Sequence, residues 1–152
     1  MDPAAFLAMG REVLSRQPFS RLVGAELVGL EPGSCELAVV LSAELKQQDG
    51  FAHGGVVSYL ADNALTYAGG TALGVPVVTS EYKINYVRPA IGDRLVARAR
   101  AAHVSRSQAV CQCEVYAIGA GTEKLCAIAQ GTIVQIGDSK RAAASSAEEG
   151  GQ

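Results

Sequence analysis

The chain has 152 residues, of which 49% are hydrophobic and 18% charged, so it is long enough for one globular domain with a real core and too apolar to be a disordered one. The net charge of −2 argues against general nucleic-acid binding, and no apolar run approaches the ~20 residues that span a bilayer. Met1-Asp2-Pro3 has neither the basic region nor the apolar stretch of a signal peptide, which makes the cytoplasm the expected compartment.

In chain order, residues 3 to 16 read as a helix. Asp2 is placed to cap it, Pro3 suits its first position, and Phe6, Leu7, Val13 and Leu14 give it an apolar stripe. Gln17-Pro18 is expected to end it, because a residue before proline avoids the helical region. Residues 25 to 31 and 34 to 41 form a hairpin pattern across Pro32-Gly33, with Cys35, Leu37, Val39 and Leu41 alternating against Ser34, Glu36 and Ala38. The polar loop from Lys46 to Gly55 then leads into a segment, Gly55 to about Gly69, whose Val57, Leu60, Ala61, Ala64, Leu65 and Ala68 recur at helical spacing. Tyr59 and Tyr67 add bulk on other sides, and a helix apolar most of the way round is a buried one. Its end is expected at Gly69-Gly70 or a little later, near Gly74-Val75-Pro76.

The remainder reads as strands at about 77–88, 94–104, 108–117 and 124–136. Arg94, Arg98 and Arg100 alternate with Leu95, Ala97 and Ala99, and Gln112 and Glu114 with Cys111, Cys113 and Val115, so each strand has one wet and one packed face. The order of elements predicts an α+β fold, one antiparallel sheet wrapped around a long central helix, in a single domain over residues 1–136. Residues 137–152, with Ala142-Ala143-Ala144-Ser145-Ser146 and Glu148-Glu149-Gly150-Gly151, have nothing to bury and are expected to form a disordered tail. Cys35, Cys111, Cys113 and Cys126 fall in strand-like apolar runs and read as buried reduced thiols. With only two histidines and no paired Cys/His spacing, no metal site is expected, and no phosphate-loop or dinucleotide fingerprint calls for a cofactor.

Gln47-Gln48-Asp49-Gly50-Phe51-Ala52-His53-Gly54-Gly55, followed by Leu60-Ala61-Asp62, resembles the signature of the PaaI-like branch of hotdog-fold acyl-CoA thioesterases. Tyr82-Lys83-Ile84-Asn85-Tyr86-Val87-Arg88-Pro89, with Gly92-Asp93 after it, resembles a later strand of the same family, so the resemblance runs from about residue 20 to 136. It implies a hotdog fold, hydrolysis of an acyl-CoA to free acid and CoA, and a homodimer or homotetramer with its sites at the subunit interface.

The residues agree with those roles on physical grounds. Gly54 opens the helix, where backbone N–H groups lack intrahelical partners and can polarise a thioester carbonyl. Gly55 beside it is explained as well by tight packing. Asp62 stands among apolar helical residues, and a carboxylate there needs a reason; it is the best candidate for general base or nucleophile. The other account is a carboxylate satisfied by loop backbone or paired with an arginine. Eight residues of helix put Asp62 about 12 Å along the axis from Gly54, too far for both to meet one reacting carbon. Two antiparallel copies of the helix, one per subunit, solve that problem, in line with the resemblance.

Gln47 occupies the position where the resemblance implies an amide that orients water or thioester; an ordinary loop residue is the alternative. Thr66, one turn after Asp62, is placed to hold the carboxylate or a water, or to bond its own i−4 carbonyl. Ser80 is the matching hydroxyl on the next strand in some relatives. His53 suits a structural role in shaping the turn that the substrate meets, rather than catalysis. Lys83, Arg88, Arg94, Arg98, Arg100 and Arg106 crowd one stretch that holds a single acid, Asp93. Of these, Arg88 and Arg106, the latter in the polar turn Ser105-Arg106-Ser107, are the choices for the phosphates of coenzyme A. A non-catalytic acyl-CoA-binding module of the same fold, or a purely structural dimer, are the competing functions.

Overall fold

The computed structural model describes residues 1–137, and the expected disordered tail lies outside the described residues apart from Gly137. Helix α1 spans Pro3–Ser15, with the Asp2 side chain accepting a hydrogen bond from the Ala5 N–H at 3.1 Å. Proline 18 does more than end it. As the first residue of a second, short helix, α2 (Pro18–Val23), it occupies the one helical position where a missing N–H is no loss. Gly24, in the left-handed region at φ 69°, stops α2 and turns the chain into the hairpin of β1 (Ala25–Glu31) and β2 (Ser34–Val40).

The long helix is α3, Gly54–Leu73, and it ends on the left-handed Gly74. Gly69 and Gly70 do not break it. A Cβ on Gly69 would lie 2.6 Å from the Ile133 Cβ, so glycine there allows the helix to approach the sheet. Four long strands follow: β3 (Val77–Tyr86), β4 (Arg94–Val104), β5 (Gln108–Gly119) and β6 (Thr122–Gln135). All pairings are antiparallel, in the order β1-β2-β4-β5-β6-β3. The strands lie close to the positions expected from alternation, and the sheet wraps the helix as predicted.

Three stripes of α3 explain its near-continuous apolar character. Val56, Val57, Leu60, Ala61, Ala64, Leu65, Ala68 and Gly69 are buried, and the first seven join the core beneath the sheet with Leu37, Leu95, Val115 and Ile133. A second stripe, Tyr59, Asn63, Tyr67 and Thr71, meets the N-terminal part of the chain. Tyr59 donates to Ser20 Oγ at 2.6 Å, Asn63 to Gln17 Oε1 at 3.1 Å, and Tyr67 to the Gly10 carbonyl at 2.9 Å. The third stripe, Ser58, Asp62 and Thr66, is polar and faces β3. All four cysteines are buried and free, as the sequence predicts.

Strand β3 is an edge. Among the described residues it pairs with β6 on one side and with no strand on the other. Its register slips between Thr79 and Glu81, leaving Ser80 as the extra residue of a bulge.

Candidate active site

The loop before α3 fixes the helix start. His53 N–H donates to the Leu45 carbonyl and Ala52 N–H to the Ala90 carbonyl, both at 2.9 Å, so the loop is held from two sides. His53 is the N-cap: its Nδ1 accepts from the Gly55 N–H at 2.8 Å. The imidazole thus satisfies one of the orphan donors of the helix, the turn-shaping role expected of it. Val56 and Val57 N–H groups both return to the His53 carbonyl. Gly54 N–H, by contrast, has no partner among the described residues. It opens a 20-residue helix, where the aligned peptide dipoles place partial positive charge.

Gly54 lines a cavity of about 410 Å³ together with Gln47, Phe51, Tyr86 and Arg88. Three residues singled out in the sequence are therefore brought to one place. Gln47 is fixed by its own loop: its side-chain oxygen accepts from the Asp49 N–H and its N–H donates to the Phe51 carbonyl at 2.9 Å. Tyr86 donates to the Gly54 carbonyl at 3.1 Å, steadying the turn from the strand side. Arg88 extends past the end of β3, one guanidinium N–H on the Leu125 carbonyl at 3.1 Å, and is otherwise exposed.

Asp62 is not in that cavity. It sits two turns down α3, half-buried, and its Oδ1 accepts from Thr79 Oγ1 at 2.7 Å. Thr66 Oγ1 is 2.9 Å from Thr79 Oγ1 and also donates to the Asp62 carbonyl at 2.9 Å. Thr66 has one proton to give, to its i−4 carbonyl or shared with the Thr79 oxygen, and its hydroxyl lies against the one that holds the carboxylate. Ser58 continues the row with a short hydrogen bond to the Tyr82 hydroxyl. Neither sequence alternative for Asp62 holds: no arginine and no loop backbone engages its carboxylate among the described residues.

One sequence choice needs correction. The strand hydroxyl that reaches Asp62 is Thr79, not Ser80. Half-buried Tyr82 and Ile84, counted back in twos, point Ser80 inward, but the bulge adds a residue, turns Ser80 to solvent and brings Thr79 to the helix. Arg106, the other choice for the phosphates, lies far from Arg88 within one protomer. Arg88 bonds at Leu125, whereas the turn carrying Arg106 leads into Gln108, opposite Val134; nine residues of β6 separate these points by about 30 Å. One protomer thus presents two separate groups of candidate residues, a free amide with Gln47 and Arg88, and a carboxylate with two threonines.

A six-stranded antiparallel sheet wrapped around one long central helix is the hotdog architecture. The thioesterase superfamily sequence model matches residues 49–124, which contain Gly54, Asp62, Thr66, Thr79 and Arg88 but not Gln47. A Saccharolobus solfataricus protein whose name places it among the esterases is 32% identical over 124 residues, 81% of each chain. The acyl-coenzyme A thioesterase PaaI of Escherichia coli K12 is 27% identical over 97 residues, 63% of this chain and 69% of that one. Among solved structures, a thioesterase family protein of Silicibacter pomeroyi is 35% identical and superposes with a TM-score of 0.79, over 84% of this chain and 96% of that one. The chain belongs to the thioesterase superfamily, in its PaaI-like hotdog branch, and is a thioester hydrolase.

Proposed function

We propose that this thioester hydrolase acts on acyl-CoA, in a site that joins Asp62 of one protomer to Gly54 of a second copy. The observation that carries the reading is the separation of the two half-sites along one rigid helix. An oxyanion donor and a base serve the same carbon only when both lie within a few ångströms of it, and the ~12 Å between Gly54 and Asp62 forbids that within a chain. The free outer edge of β3 supports the pairing. Two β3 strands joined antiparallel would extend the sheet, run the two α3 helices in opposite directions, and cover Val78 and Tyr86, now 48% and 55% exposed.

In that arrangement the Gly54 N–H hydrogen-bonds the thioester oxygen and stabilises the negative charge that develops on it. Asp62, oriented by Thr79 and Thr66, takes a proton from an attacking water; the C–S bond then breaks and CoA leaves as its thiol. Attack by the Asp62 carboxylate itself, through an anhydride that water later opens, needs the same placement. The exposed Arg88 guanidinium beside the Gly54 cavity suits the phosphates of CoA. The PaaI relative, named as an acyl-coenzyme A thioesterase, supports the choice of CoA as the thiol.

The test is thiol release from a panel of acyl-CoAs. The wild type releases thiol from at least one of them, and Asp62→Asn lowers kcat by on the order of 10³-fold or more with its circular dichroism unchanged. Equal turnover by the two proteins would remove Asp62 from the chemistry. Tight binding with no release by the wild type would point instead to a ligand-binding module.

A further inference from the structure

We propose that the cavity between α1 and α3 receives the acyl chain, and that α1 side chains set the length it accepts. The inference rests on the Asp62 reading above and adds the substrate class, an apolar chain well beyond acetyl. The cavity has a volume of about 680 Å³. Phe6, Met9 and Val13 of α1 form one wall, and Tyr67 of α3 and Val77 of β3 face them. Thr66 lines it as well, and Thr66 Oγ1 lies 2.9 Å from the Thr79 hydroxyl that donates to Asp62. The apolar space therefore begins two hydrogen-bond contacts from the carboxylate, through Thr66 and Thr79. A thioester carbon facing Asp62 has this direction open for its acyl group, while the cavity holding Gly54 and Arg88 takes the CoA side.

The shape of the space is built in. Gly70 also lines it, and a Cβ there would lie 3.1 Å from Val77 Cγ2, so glycine keeps the cleft between α3 and β3 wide. The α1 wall is fixed in position at two points. A Cβ on Gly10 would lie 2.5 Å from Leu30 Cδ2, which shows how closely α1 is seated on β1, and the Gly10 carbonyl accepts from Tyr67 at 2.9 Å. At its C-terminal end, Gln17 Oε1 accepts from both Asn63 and buried Ser20, at 3.1 and 2.6 Å. With the backbone tied in this way, the width of the cavity depends on the α1 side chains. Met9 and Val13 are 45% and 46% exposed, so they can be enlarged without entering the core.

The experiment compares kcat/KM for acetyl-, hexanoyl-, decanoyl- and palmitoyl-CoA by thiol release, using the full chain, with thermal melting of every variant. The wild type favours decanoyl over acetyl by at least about tenfold, since methylenes held in an apolar pocket discriminate strongly. Val13→Trp and Met9→Trp fill the cavity and lower the decanoyl-to-acetyl ratio by about tenfold. Phe6→Ala enlarges it and raises palmitoyl relative to decanoyl. Val13→Phe is the milder substitution if melting shows that tryptophan unfolds the helix. An unchanged ratio in folded variants, or an equal loss on all four substrates, overturns the acyl assignment and leaves the hydrolase reading standing. A wild type that releases thiol from none of the four overturns both.

Discussion

At the scale of single residues, Asp62 and Thr79 are the pair on which the carboxylate's position depends. A half-exposed aspartate samples several rotamers unless something holds it; here one hydroxyl on β3 does, backed by Thr66. Thr79→Val keeps the shape and removes the bond, and is expected to lower kcat by about tenfold with little change in KM, whereas Ser80→Ala, at the solvent side of the bulge, stays near wild type. Steady-state thiol release on the two variants decides it, and the reverse order would return the role to Ser80. The places of Asp62 and Gly54 in α3 were legible because an acid inside an apolar helical pattern and a glycine at a helix start are local signals. Thr79 was not, because a bulge is set by pairing with β6 and leaves no mark within the strand. The thiols make a second residue-scale prediction. Burial pushes Cys111 and Cys126 up to about 11 and Cys113 to about 12. A raised thiol value keeps the protonated, unreactive form well above neutral pH, so the native protein is expected to resist a thiol-labelling reagent at pH 7–8 and to react at all four positions once unfolded. Rapid labelling of the folded chain would contradict the burial.

Among the elements, α3 does most to organise the molecule, and its closeness to the sheet is measurable. Gly69→Ala places a methyl 2.6 Å from Ile133 Cβ, in a backbone-fixed core, and is expected to destabilise the fold by about 1–3 kcal/mol in denaturant unfolding. A neutral or stabilising effect would mean that the helix can move away from β6. The element order, the hairpin and the four long strands could be read from alternation and turn residues, since each strand packs one face against α3 and leaves the other wet. Helix α2 could not. Pro18 reads as a stop for α1, and six residues are too few for a periodic pattern, so its start only becomes visible with Ser20 buried against Tyr59. The sequence left the end of α3 open between Gly69-Gly70 and Gly74: the first two act as packing contacts, and Gly74 provides the stop.

For the molecule as a whole, the proposed chemistry depends on what one protomer lacks. Its Gly54 amide and Asp62 carboxylate lie two turns apart on one helix, its Arg88 and Arg106 at opposite ends of one sheet, and β3 offers ten residues of edge that no described strand covers. A second copy joined along that edge would complete the chemistry and protect the edge together. The partition can be tested with two defective chains. Asp62→Asn removes the carboxylate. Gly54→Pro removes the amide N–H and puts the ring Cδ in its place without breaking the helix start, because proline is tolerated at the first helical position and His53, at φ −61° and ψ 138°, already has the backbone that precedes a proline. Each variant by itself is expected to be inactive. Co-assembled at equal amounts, they place an intact Asp62 opposite an intact Gly54 in one site of every mixed dimer, and thiol release returns to about a quarter of the wild-type rate. A mixture as inactive as its components, with mixed dimers demonstrated by differential tags, would contradict the shared site.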